Sequence, residues 1–88
     1  GVLHMIRLKR KSQTKRKKKI AAAAYLYQVD NDGEWGEISF DFENGTAKII
    51  RLADWDTMKT NRFANRAITY LLNCEDEKPS KETLIAFE

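Results

Sequence analysis

Eight cations crowd into eleven residues near the start of the chain: Lys9, Arg10, Lys11, Lys15, Arg16, Lys17, Lys18 and Lys19. The chemistry open to such a run is electrostatic. Lysine and arginine displace counterions from phosphates without reading base sequence, so the run is a candidate contact for DNA or RNA. No aromatic residue interleaves these lysines, so stacking on unpaired bases is not indicated within the run. The rival readings are a solvated leader with no specific role, a contact for anionic lipid, and a contact for an acidic protein.

Catalytic chemistry has little to work with. His4 is the single histidine and Cys74 the single cysteine, which leaves no Ser/His/Asp or Cys/His nucleophile system and no thiolate zinc site. Cys74 is followed by Glu75, Asp76 and Glu77, whose charge disfavours a thiolate. Asp54 and Asp56 could in principle share acid/base work, but a turn leading into a helix is the simpler reading. The stretch from Gln28 to Ser39 imitates a calcium loop with Gly33 at its sixth position. It fails at both ends, with Gln28 first and Ser39 where a bidentate Glu is required. The expectation is a protein that is not an enzyme and has no metal and no cofactor.

The chain has 88 residues, room for one small domain. Its net charge of +3 conceals two unlike parts. Residues 1–20 hold nine of the sixteen Lys and Arg and no acid, whereas residues 21–88 hold the other seven with all thirteen Asp and Glu, a net of −6. An acidic body repels a polyanion and a basic segment attracts one, so nucleic acid is expected at the basic segment. No apolar run approaches the roughly 20 residues of a membrane span. As a signal peptide the first part is poor, because residues 20–27 are short and mostly alanine and no small-residue cleavage site follows. The absence of any internal disulfide fits a reducing compartment, and a cytoplasmic location is expected. Met5 reads as the natural start, which would make residues 1–4 an addition ahead of it and His4 foreign to the protein.

The elements that must position these residues follow from periodicity. Residues 1–19 lack a sustained apolar pattern and read as a flexible basic arm, with a single α+β domain over 20–88. Residues 20–29 alternate as a strand, and residues 35–42 follow, with Ile38, Phe40 and Phe42 facing opposite to Glu37, Ser39 and Asp41. Residues 46–52 make a third strand. Two-residue turns at Asp32-Gly33 and Asn44-Gly45 would join these strands. That register sets Tyr27 opposite Ile38, Tyr25 opposite Phe40, Phe40 opposite Ile49 and Asp41 opposite Lys48. Phe63, Ala64, Ala67, Ile68, Leu71 and Leu72 recur at helical spacing, with Asp54, Asp56 or Thr60 as candidate caps. Residues 83–87 read as a short last strand.

The expected fold is therefore β-β-β-α-β, an antiparallel meander with one helix packed on one face. The last strand lies beside the first, giving the order 3-2-1-4. The core would gather Tyr25, Ile38, Phe40, Phe42, Ile49, Phe63, Ala67, Ile68 and Leu71. A helix-backed sheet of three strands is similar in topology to some DNA-binding domains. Here, though, the outer face carries Glu37, Ser39 and Asp41 where such a reader needs Arg or Lys. The leading reading is a non-enzymatic binding module whose basic arm supplies nonspecific nucleic-acid affinity, with Arg62 and Arg66 on the exposed helix face as auxiliary contacts. The alternative is a protein-interaction or oligomerisation module with its site on the acidic body. Leu26, Ile50 and Leu52 would then form a patch for a second copy or another protein, and Trp35 or Trp55 could anchor a partner.

Overall fold

The computed structural model describes residues 4–54, 56, 62–74 and 81–87. Within them the chain forms β1 (His4–Arg16), β2 (Lys19–Val29), β3 (Asp32–Asp41), β4 (Thr46–Arg51), α1 (Arg62–Leu72) and β5 (Glu82–Phe87). The strands build one antiparallel sheet in the order β4-β3-β2-β1-β5, and α1 covers one face of it, an α+β architecture.

The meander and its helix are as expected, with one strand more. Most of the segment read as a flexible arm is β1, a strand of thirteen residues. Its anchor is Ile6 and Leu8, which are 0% and 1% exposed. Two apolar residues at strand spacing suffice here because an antiparallel sheet needs to bury only one face. Arg7 and Lys9 alternate with them and point away from the helix. β5 accordingly docks on β1, with Ile6 opposite Ile85 and Leu8 opposite Thr83, rather than beside β2 as the 3-2-1-4 order required.

Both expected hairpins exist, each with its turn in a different place. The β2–β3 turn is Asp30-Asn31, at φ 52° and 55°. Asp and Asn tolerate the left-handed region, so glycine is not needed there. Gly33, at φ 80°, serves the irregularity that follows. The β3–β4 turn spans residues 42–45, because the Asp41 carboxylate organises it. That carboxylate accepts from the Glu43 amide at 2.9 Å, the Asn44 amide at 3.1 Å and the Asn44 side-chain amide at 2.7 Å. Asp41 is thus committed to the turn, and Lys48 stands opposite Ser39 instead. Tyr25 faces Ile38, Ala23 faces Phe40, and Phe40 faces Ala47. Each register differs from the expected one by two residues, which preserves the face of every side chain.

The buried set therefore agrees with expectation. Tyr25, Ile38, Phe40, Phe63, Ala67 and Leu71 are core, and Phe42, Ile49 and Ile68 pack against it. Ala64 and Ala67, both fully buried, let the helix backbone sit close to the sheet. Gly36 is opposite Tyr27, and a Cβ there would run into the Tyr27 ring and the backbone of Arg51 and Ala53. The helix start is held by Asp56, which is 8% exposed. Its carboxylate accepts from the Phe63 and Ala64 amides, each at 2.9 Å, and from the Tyr27 hydroxyl at 2.6 Å. A negative charge at these amides is stabilised by the helix dipole. Of the candidate caps Asp56 serves, Asp54 does not, and Thr60 lies outside the described residues.

Candidate nucleic-acid interface

The β1–β2 hairpin carries the basic run. Its ladder continues to the tip, where Arg16 faces Lys19 and Lys17-Lys18 form a two-residue turn at φ 54° and 69°. Residues 11–19 are all exposed. Two features make the hairpin project. β5 pairs with β1 only as far as Lys9, with one further bond from the Arg10 amide to the Lys81 carbonyl at 2.7 Å. β3 pairs with β2 only as far as Ala22, with one further bond from the Phe42 amide to the Ala21 carbonyl at 2.9 Å. Among the described residues, 15–20 thus form a two-stranded ribbon without a third strand on either side. The ladder breaks register between Arg10 and Ser12 and again between Thr14 and Lys15, which twists the ribbon relative to the sheet.

Acidic side chains border the base of this ribbon on the outer face. Lys11 Nζ lies 3.1 Å from Glu37 Oε1 across β2, and Arg16 lies 3.5 Å from Glu43 in the β3–β4 turn. Arg7 lies 3.4 Å from Glu82. Turn hydrogen bonds from Asn44 and, lastly, the charge of Arg16 hold the Asp41 carboxyl below the usual carboxylate range. Lys15, Lys17, Lys18 and Lys19 lie beyond these pairs, at and around the tip.

Not every expected contact belongs to this group. Lys9 and Lys11 share the outer face of β1, but Arg10 points inward and is half-buried against Tyr25. Burial pushes the Tyr25 phenol up, and Arg10 beside it pulls it part of the way back. Arg62 and Arg66 are exposed on α1, on the other side of the sheet from Lys9 and Lys11. The Arg62 guanidinium lies 5.3 Å from the centre of the Phe63 ring. That ring meets His4 edge-on at 5.2 Å, at the start of β1 and so at the end of the sheet remote from the tip. The two helix arginines are therefore not auxiliary to the ribbon in one surface.

The apolar patch on the body is likewise dispersed. Ile50 is 52% exposed and Leu26 is half-buried on the outer face. Leu52, however, packs against the core. The reason is an irregularity in the β3–β4 ladder: Ile38 faces Ile49 but Glu37 faces Arg51, so Ile50 is an extra residue and the strand turns over beyond it. Trp35 is half-buried, its carbonyl accepting from Arg51 Nε at 3.1 Å, and Trp55 lies outside the described residues.

The carboxylates that could have carried other chemistry have structural duties. Asp54 accepts from the Glu34 amide at 3.0 Å, so it and Asp56 serve different elements. Asp30 accepts from the Met5 amide at 2.9 Å and lies 2.8 Å from His4 Nδ1, which ties the β2–β3 turn to β1 and holds its carboxyl below the usual range. Cys74 is half-buried at the end of α1, its thiol donating to the Tyr70 carbonyl at 3.3 Å. Among the described residues no three His, Cys, Asp or Glu side chains stand together as a metal site, and no helix is long and apolar enough to cross a membrane. No protein-family model, curated protein or solved structure matches this chain.

Sequence reasoning missed β1 as a positioning element. The signal was short: Ile6 and Leu8 two residues apart, then Ser12 and Thr14 among the lysines.

Proposed function

We propose that this chain is a non-enzymatic, intracellular binding module that holds the phosphate backbone of a nucleic acid on its β1–β2 hairpin. The observation that supports this best is the projecting ribbon itself. Five consecutive cations, Lys15, Arg16, Lys17, Lys18 and Lys19, sit exposed at its end, and among the described residues only the Glu43 carboxylate pairs with one of them. A preformed cationic ribbon loses little conformational freedom on binding, which a flexible arm would have to lose. Phosphate neutralisation would relieve the self-repulsion of such a cluster, which the body of opposite charge leaves largely unpaired among the described residues.

The test is a titration of the full chain against a generic duplex at several salt concentrations. Four to seven neutralised phosphates would give a slope of log affinity against log salt of roughly −4 to −6. The variant for comparison is Lys17→Asn with Lys18→Gly, since Asn and Gly suit positive φ and keep the turn while removing two charges. It should weaken binding and make the slope shallower by about 2. Deleting residues 1–19 is not a usable control, because Ile6 and Leu8 are core.

A further inference from the structure

We propose that the ribbon inserts into the major groove of duplex DNA. The inference rests on the phosphate-binding reading above and adds the shape of the polyanion. Residues 15–20 are held in register up to the turn, by Lys15 opposite Ile20 and Arg16 opposite Lys19. Two strands about 4.8 Å apart, with side chains on either side, measure roughly 10–12 Å across. The major groove of B-form DNA is about 12 Å wide and admits such a ribbon, whereas the minor groove, about 6 Å wide, does not. The deep, narrow major groove of A-form RNA excludes it as well.

The depth of entry is set by the neighbouring strand. Beyond Ala21, where the Phe42 amide makes the last bond to β3, the sheet narrows from four strands, β1 to β4, to two. The part that projects is two residue pairs and a turn, about 10 Å long at 3.3 Å per residue. That is close to the groove depth of about 8.5 Å. The turn at residues 42–45 then meets the groove mouth and stops further entry. Lys15 and Arg16 on one strand, Lys19 on the other, and Lys17 and Lys18 reaching sideways from the leading turn face the two backbones that wall the groove. Ser12 and Thr14, exposed on the β1 edge beside Ala24 and Ala22, stand at the mouth as hydroxyl donors to phosphate. Glu43 is the opposing charge at the mouth, and its contact with Arg16 competes with phosphate. A single strand offers no groove, and the ribbon has no aromatic residue on which bases could stack.

The full chain is titrated at one salt concentration against a DNA duplex, an RNA duplex of the same sequence, the single DNA strand, and a DNA duplex whose cytosines carry bulky sugar groups that fill the major groove. The DNA duplex should bind on the order of tenfold tighter than the RNA duplex or the single strand. Filling the groove should remove that advantage, Lys17→Asn with Lys18→Gly should remove it too, and Glu43→Gln should strengthen binding to the open duplex several-fold. Equal affinity for the two duplexes, tighter binding to the single strand, or indifference to the filled groove would overturn groove insertion and leave the phosphate reading standing. Binding to none of the four, with no retention on heparin, would overturn both.

Discussion

Asp56 shows how one side chain can fix the relation between a sheet and a helix. It is nearly buried and accepts three hydrogen bonds, two from the first turn of α1 and one from Tyr27 in the middle of the sheet. Tyr27 in turn accepts from the Ala53 amide at 3.0 Å, so its hydroxyl is satisfied as donor and acceptor. Replacing Tyr27 by Phe would leave the Ala53 amide and one carboxylate position without a partner, at a cost of about 2–3 kcal/mol. Chemical denaturation of the variant beside the parent chain measures this directly. The same hydroxyl predicts an alkaline limit. Burial and the Asp56 hydrogen bond raise the Tyr27 phenol far above its ordinary 10.0, and burial raises Tyr25 as well. Folded values above unfolded ones mean that this contribution is complete below pH 10 and is lost as pH rises through the folded values. Stability should fall above about pH 10, less steeply in Tyr27→Phe, by denaturation midpoints across the alkaline range. On the acid side Asp30 and Asp41 are lowered, so their contribution is complete above the ordinary 3.8 and is lost as pH falls through their folded values.

At the scale of the element, β1 supplies core residues and carries most of the basic run. Ile6 and Leu8 fill the inner face between β2 and β5, so Ile6→Ala should cost about 2–5 kcal/mol and detach β5 along with β1. Hydrogen exchange would then lose protection in both strands together. The turn at the far end of β1 makes the opposite prediction. Lys17 and Lys18 hold positive φ without being Gly or Asn, a conformation costing roughly 1–2 kcal/mol per residue. Lys17→Asn with Lys18→Gly should raise the thermal midpoint while it weakens binding. Strain kept in two lysines at the tip of this hairpin is what the proposed demand for charge there would leave behind. Such turns also explain where the sequence was hard to read. The hairpins were legible from alternation, and so were the faces, because errors of two residues leave faces unchanged. The registers were not legible, because Asp30-Asn31 took the left-handed positions that Gly33 advertised and Asp41 drew the second turn out to four residues. The arm was misread because charge density outweighed the apolar signal of Ile6 and Leu8.

For the whole molecule the leading fact is charge set against shape. The chain extends 41 Å along its longest axis and only 21 and 18 Å across. The basic tip lies at one end of β2, and Asp30, Asp32, Glu34 and Asp54 gather near the other. The segregation of charge was legible from composition alone. That it occupies a paired two-stranded ribbon was not, since it depends on which strands stop short of the tip. A molecule of this kind should bind a polyanion end-on, with affinity governed by salt and by a few tip residues. The most direct measurement is the salt dependence of duplex binding by the full chain and by Lys17→Asn with Lys18→Gly. The account predicts a slope of roughly −4 to −6 for the parent chain and one shallower by about 2 for the variant, with both proteins folded. Equal slopes and equal affinities for the two would contradict it, since phosphate would then be held somewhere other than the hairpin tip.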